Sequence, residues 1–133
     1  MSVLLDTHVW LWWLTGAPDL SPSVRRALDA QATRELPFLS AISLWEAQML
    51  ASKGRIQPHG RFDHWLRSVS APDVVQLLPL DSEVVIALDE LPASFHGDPA
   101  DRLIVATARA HRLPLATRDA AIRRSRVVTL WKA

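Results

Sequence analysis

Two rhythms of apolar and polar residues alternate along the chain. Short continuous apolar runs occur at "SVLL" (2–5), "LPFLS" (36–40), "VVQLLPL" (74–80), "LPLAT" (113–117) and "VVTLW" (127–131). Each has the length and composition of a buried strand. Between them, apolar residues recur at helical spacing. Thr7 to Leu14 reads as a helix with Trp10, Trp13 and Leu14 on one face. Ser21 and Pro22 give a cap and a first-turn proline to a helix ending near Gln31. Further helices are expected from about Ala41 to Lys53, stopping at Gly54, from Phe62 to Val69, behind Asp81 as cap, and from about Pro99 to His111. Pro79 marks its strand as an edge or a strand end. Strands without period-two alternation are covered on both faces, so the pattern predicts an α/β fold. It is a three-layer α/β/α sandwich around a central, mostly parallel sheet of about five strands, with right-handed crossovers. At 133 residues, without repeats or a dividing linker, residues 1–133 are expected to form one domain.

In such a sheet, the carboxyl ends of the strands and the amino ends of the following helices share one edge, where ligands bind. The acidic residues gather there. Asp6 closes the first strand, Glu46 lies in the first turns of the helix after the second, Asp98 and Asp101 open the helix of "GDPADRLIVATA", and Asp119 follows "LPLAT". Each has a structural alternative. Asp98 before Pro99 is a good N-cap, and Asp119 suits the cap of the short segment "AAIRRS". Glu46 has the spacing of a capping box with Ser43. Asp101 would sit where the helix dipole favours an anion. Yet Asp101 falls on the stripe of Ile104, Val105 and Ala108, and Glu46 on that of Ile42, Met49 and Leu50, both facing inward. Asp6, ending a buried strand, has the weakest structural explanation.

Taken together, the acids point to a cation. Two carboxylates about 4 Å apart repel by roughly 4 kcal/mol at an effective dielectric near 20, a large share of a domain's stability of about 5–15 kcal/mol. An ion between them removes that cost. An all-oxygen set favours Mg²⁺ or Mn²⁺ over Zn²⁺. Such an ion suits hydrolysis of a phosphodiester, with arginine gripping the substrate backbone. The candidates for that grip are Arg102, Arg118, Arg123, Arg124 and Arg126. The 13 Arg against 2 Lys fit phosphate recognition, although genomic base composition would produce the same excess. The net charge of +1 shows no bias towards polyanions, and four scattered glycines leave no phosphate loop.

The segments "LLDTHVWLWWL", "SLWEAQML", "GDPADRLIVATA" and "LATRDAAI", in this order, resemble the PIN-domain family, specifically the VapC-type toxins of bacterial type II toxin–antitoxin pairs. "TLW" near the end fits as well. The resemblance implies a Mg²⁺- or Mn²⁺-dependent ribonuclease that forms a homodimer and is blocked by a cognate antitoxin protein. By motif it makes Asp6, Glu46, Asp101 and Asp119 the acidic quartet around the metal. It adds Asp98 as a further acid that binds metal or assists from beside it. It makes Thr7 a hydrogen-bonding neighbour of the site. Thr7, Arg102 and Arg118 are the candidates for contact with the RNA substrate, and for the arginines the alternative is a solvated surface charge. His8 belongs to the "DTH" variant of the motif and carries no assigned chemistry.

Other features narrow the picture. The chain has no cysteine, so disulfide and thiolate chemistry are excluded, and a cytoplasmic location is expected. The apolar start lacks a basic leader and is broken by Asp6 and His8. Trp10, Trp12 and Trp13 crowd one short helix. Trp12, off the face shared by the other two, is expected either to pack in the core or to contribute to an antitoxin or dimer contact. A phosphoacceptor receiver domain would need an acidic pair at the first strand, an acceptor aspartate closing a central strand and a late lysine. Here Asp6 stands alone, the second strand ends in Ser40, and the only lysines are Lys53 and Lys132. A catalytically silent module that binds RNA or protein is the remaining alternative, and it would bind RNA without divalent-dependent cutting.

Overall fold

The computed structural model describes residues 2–95 and 97–133. Strands β1 (Leu4–Leu5), β2 (Phe38–Ser40), β3 (Gln76–Leu78) and β4 (Leu115–Ala116) form a sheet of order β3-β2-β1-β4, every neighbouring pair parallel. The helices are α1 (Thr7–Thr15), α2 (Pro22–Arg34), α3 (Ile42–Ser52), α4 (Phe62–Val69), α5 (Ser82–Asp89), α6 (Pro99–His111) and α7 (Ala120–Ser125).

The strands are shorter than the apolar runs, and prolines set several of the limits. A proline has no N–H for the ladder. β2 and β4 begin directly after Pro37 and Pro114, and β3, at the sheet edge, ends just before Pro79. The carbonyls of Pro37 and Pro114 still accept, from the N–H of Gln76 at 2.8 Å and of Leu4 at 2.9 Å.

The fifth expected strand, 127–131, is reduced to a bridge between Leu115 and Leu130, so the sheet has four strands. Leu115 donates to the Thr129 carbonyl and accepts from the Trp131 N–H. Further back the ladder partners are diverted. The Val127 carbonyl takes the Arg109 guanidinium at 2.7 Å, and its N–H donates to Ser125 Oγ.

Continuous apolar strands now have their explanation. Val3 and Leu5 of the first run pack in a cluster with Trp10, Leu28, Ala47 and Trp65, on the side of α1 to α4. Leu4 points the other way, to Leu91, Ile104, Val105 and Ile122. Leu115 and Ala116 divide between the same two cores. β1 and β4 thus alternate in direction and are apolar on both sides, whereas the edge strand β3 carries Gln76 and leaves Leu77 exposed on one face.

Helix signals work locally. Ser21 caps α2, which runs past Gln31 to Arg34, and Asp81 caps α5 by accepting from Val84 N–H at 3.1 Å. Arg25, partly buried, fastens backbone: it donates to the carbonyls of Trp12, Trp13 and Ala17 behind α1. Among the described residues, no helix is long and apolar enough to cross a membrane.

Candidate active site

Strand register builds the floor of the site. Leu5 pairs with Leu39 on one side and Ala116 on the other. The next residues, Ser40, Asp6 and Thr117, therefore lie in a row across the carboxyl end of the sheet, all buried. Asp6, 5% exposed, caps α1: its Oδ1 accepts from Thr7 N–H at 2.8 Å, and its Oδ2 accepts from the Thr117 hydroxyl at 2.6 Å. Burial pushes the Asp6 carboxyl up, while the hydrogen bonds from Thr117 and Thr7 oppose it; nearby Asp119 adds repulsion.

Thr7 links the first helix to the third. Its hydroxyl donates to Glu46 Oε1 at 2.5 Å. A hydroxyl has one proton, so the Ser43 hydroxyl must donate to Thr7 Oγ1, 2.8 Å away. The capping box of Ser43 with Glu46 does not form. α3 starts behind Ala41 with no side-chain cap, because Ser43 is fully buried and turned towards Thr7. Burial raises the Glu46 carboxyl, the Thr7 bond lowers it, and repulsion from Asp6 and Asp98 raises it further.

At α6, Asp98 Oδ1 accepts from Asp101 N–H at 2.8 Å, and Pro99 follows in the first turn. Asp98 is therefore an N-cap, as its spacing predicts. Asp101, partly buried, has its carboxyl pushed up to about 7. Burial is the main cause, followed by repulsion from Asp98, Asp6, Asp119 and Glu46. Five carboxylates from four chain segments thus share one electrostatic field. Asp119 caps α7 through Ile122 N–H at 2.9 Å, and its own N–H donates to Thr117 Oγ1 at 3.1 Å. The Thr117 hydroxyl thereby ties Asp6 to Asp119.

Among the described residues, the ion pairs are those of Asp63 with Arg61 and Arg67, and neither involves these acids. Glu46, Asp98 and Asp119 each spend one oxygen on an orienting hydrogen bond. Arg102 is partly buried and donates to the Phe95 carbonyl at 3.0 Å. Arg118 is exposed and rims a cavity of about 200 Å³ with Arg123 and Lys132. Arg123 also holds the Thr117 carbonyl at 3.1 Å. Arg124 and Arg126 are exposed on and behind α7.

Of the tryptophans, Trp10 is fully buried, with its indole N–H on the Val69 carbonyl at 2.9 Å. Trp13 is partly buried and donates to Asp29 at 2.8 Å. Trp12, also partly buried, tilts against the exposed His8 ring, 5.6 Å between centroids.

Three site residues escaped the sequence reading. Thr117 and Ser43 look like ordinary small polar residues until strand register and helix facing are known; pairing "SVLLD" with "LPLAT" in register would have found Thr117. Gly97 is the third. A Cβ there would meet the Phe95 ring at 3.0 Å and Asp101 Cβ at 3.1 Å.

Comparison with known proteins adds to this geometry. The PIN domain family model matches residues 3–127. The chain is 38% identical over 133 residues to Ribonuclease VapC22 of Mycobacterium tuberculosis (strain ATCC 25618 / H37Rv), with 98% of both chains covered. In fold it is similar to VapBC2 from Rickettsia felis, crystallised with a promoter DNA fragment (TM-score 0.73, 19% identity, 98% of both chains covered). It is also similar to FitAB bound to an IR36 DNA fragment (TM-score 0.71, 22% identity, 97% and 93% covered). A toxin–antitoxin complex from Klebsiella pneumoniae gives a TM-score of 0.64 at 21% identity, with 98% and 99% covered. A family match over most of the length and a near-full-length relative well above 30% identity agree: the chain belongs to the PIN-domain family.

Proposed function

We propose that this protein is the toxin of a toxin–antitoxin pair, a ribonuclease that hydrolyses RNA phosphodiester bonds with the help of Mg²⁺ or Mn²⁺. The observation that carries the reading is the cluster of Asp101 with four other carboxylates, Asp98, Asp6, Asp119 and Glu46, all of which repel its charge. The 38% identity to a ribonuclease over nearly the whole chain supports the same reaction class. The three structural neighbours, two of them bound to DNA as pairs and one a toxin–antitoxin complex, support an antitoxin as partner. A homodimer in the cytoplasm goes with that assignment.

The donor set fits a hard divalent ion. The ligating atoms of the acids are carboxylate oxygens, the one imidazole near Asp6 and Glu46 among the described residues is that of His8, and the chain has no cysteine. Among the described residues, no three such groups close round a single point. Mg²⁺ asks for no such cage, since it keeps several waters and takes one or two carboxylates. Of Asp6, Glu46, Asp101 and Asp119, one or two would bind the ion directly and the others would act through its waters, with Asp98 beside them. When bound, a divalent ion lowers the pKa of water and stabilises charge on a phosphoryl group.

The chain's own residues supply orientation. Thr7 and Thr117 lock both oxygens of Asp6, and the Ser43–Thr7 relay fixes Glu46. These donors pre-organise the acids before substrate arrives. Arg102, held by the Phe95 carbonyl, and Arg118, exposed beyond β4, would bind phosphates of the RNA backbone, with Thr7 next to the cut.

The test is cleavage of RNA with Mg²⁺ or Mn²⁺ and with EDTA. Cutting is expected only with metal and is expected to vanish in Asp101→Asn, whose shape is nearly unchanged. Undiminished cutting by that variant would refute the assignment.

A further inference from the structure

A trough that Arg118 does not line adjoins the acids. Its first part, a cavity of about 350 Å³, has Glu46 and Asp98 on its wall together with Trp45, Lys53 and Arg55. His8, Leu50 and Arg55 also line a second cavity of about 400 Å³, so the two adjoin. Trp45 is 51% exposed, a large flat ring left in solvent one residue from Glu46. Lys53 and Arg55 are exposed, and neither belongs to the ion pairs among the described residues.

The backbone that carries the cations is fixed by hydrogen bonds. Helix α3 ends in a left-handed Gly54 (φ 71°), with Arg55 N–H donating to the Leu50 carbonyl at 2.8 Å and Gly54 N–H to Ala51 at 3.1 Å. This closing turn fixes where Lys53 and Arg55 leave the helix. Lys53 lies seven residues beyond Glu46, two turns or about 10 Å along the axis. That offset sets the cations along the trough from the acids, where a neighbouring phosphate would pass.

Resting on the ribonuclease reading above, we propose that this trough is a substrate subsite for single-stranded RNA. Trp45 stacks an unpaired base beside the cut, and Lys53 and Arg55 hold the adjoining backbone phosphates. Aromatic faces beside cations are how proteins bind single strands, because every base offers a π-face and every step a phosphate. A duplex would keep its bases stacked on each other and leave the indole unused. The trough would then select for RNA whose bases are splayed at the cleavage site.

The test is fluorescence anisotropy of a labelled short single-stranded RNA on the full-length protein in EDTA, with a gel showing the RNA intact. Trp45→Ala should weaken binding by about 5- to 100-fold, and Trp45→Phe should recover most of it. Lys53→Ala with Arg55→Ala should lower the slope of log affinity against log salt by about 1.4, two phosphates' worth for a single strand. Arg26→Ala with Arg34→Ala removes the same charge from exposed positions of α2 and should leave the slope unchanged. Equal loss in that control pair, or full affinity in Trp45→Ala, overturns the proposal. So does a Trp45→Ala protein that elutes as a smaller oligomer with unaltered RNA affinity, since the ring would then belong to a contact between copies. RNA held through the trough but never cut with metal would refute the ribonuclease reading and leave the subsite standing.

Discussion

Replacing Asp101 with asparagine should stabilise the metal-free protein, and by an amount that grows with pH. The folded carboxyl is held up to about 7 from an ordinary 3.8, by burial first and by its four acidic neighbours next. A carboxyl raised on folding binds its proton more tightly in the native state, so stability declines as pH rises from about 4 to about 7. At about 1.4 kcal/mol per tenfold change, the full shift would correspond to about 4 kcal/mol. Asp101 is only partly buried, and solvent screening reduces this to about 2 kcal/mol. The asparagine removes that loss, keeps the backbone N–H that caps onto Asp98, and forfeits about 0.5–1 kcal/mol of helix-dipole attraction. The net gain is about 1–1.5 kcal/mol at about pH 8, or about 4–6 °C in Tm for a domain of this size, shrinking towards zero or below near pH 4. Thermal unfolding in EDTA across this range checks it. A variant that melts lower than the parent at about pH 8 would show that Asp101 is a structural acid and that the repulsion argument is wrong.

Other outcomes follow from the same contacts. Adding Mg²⁺ or Mn²⁺ should raise the Tm of the parent protein as binding to the native state demands, and should raise that of Asp101→Asn much less; calorimetric titration reads the same difference directly. Thr117→Val removes the hydroxyl that bonds both Asp6 and Asp119, so it should cost about 1–3 kcal/mol in a denaturant melt, while Thr117→Ser should restore most of that and the RNA cleavage with it. Gly97→Ala would press a methyl against the Phe95 ring and Asp101 Cβ; the expected outcome is a loss of about 1–3 kcal/mol with a fall in cleavage rate, and an unaltered rate would mean that Asp101 has room to move. Trp12→Ala tests whether α1 contributes to a partner surface: pull-down with the cognate antitoxin and gel filtration should show a weakened contact, and unchanged binding and size would remove α1 from that role.

The order of elements and the acidic edge were determined by local sequence. Proline and serine at helix starts, continuous apolar strands, and acids immediately after those strands act within a few residues, so they can be read without a fold. The N-caps of Asp98 and Asp119 are of this kind. What tertiary structure decided is everything that depends on register and facing. Parallel pairing of Leu5 with Ala116 is a contact between residues more than a hundred positions apart, and only it reveals that Thr117 serves Asp6. Facing turned Ser43 from a helix cap into the donor behind Thr7. The fifth strand failed because Arg109 and Ser125, distant or differently oriented in the pattern, captured the polar groups of Val127. The apolar run was present, but a ladder needs free backbone donors and acceptors, and hydropathy carries no record of those.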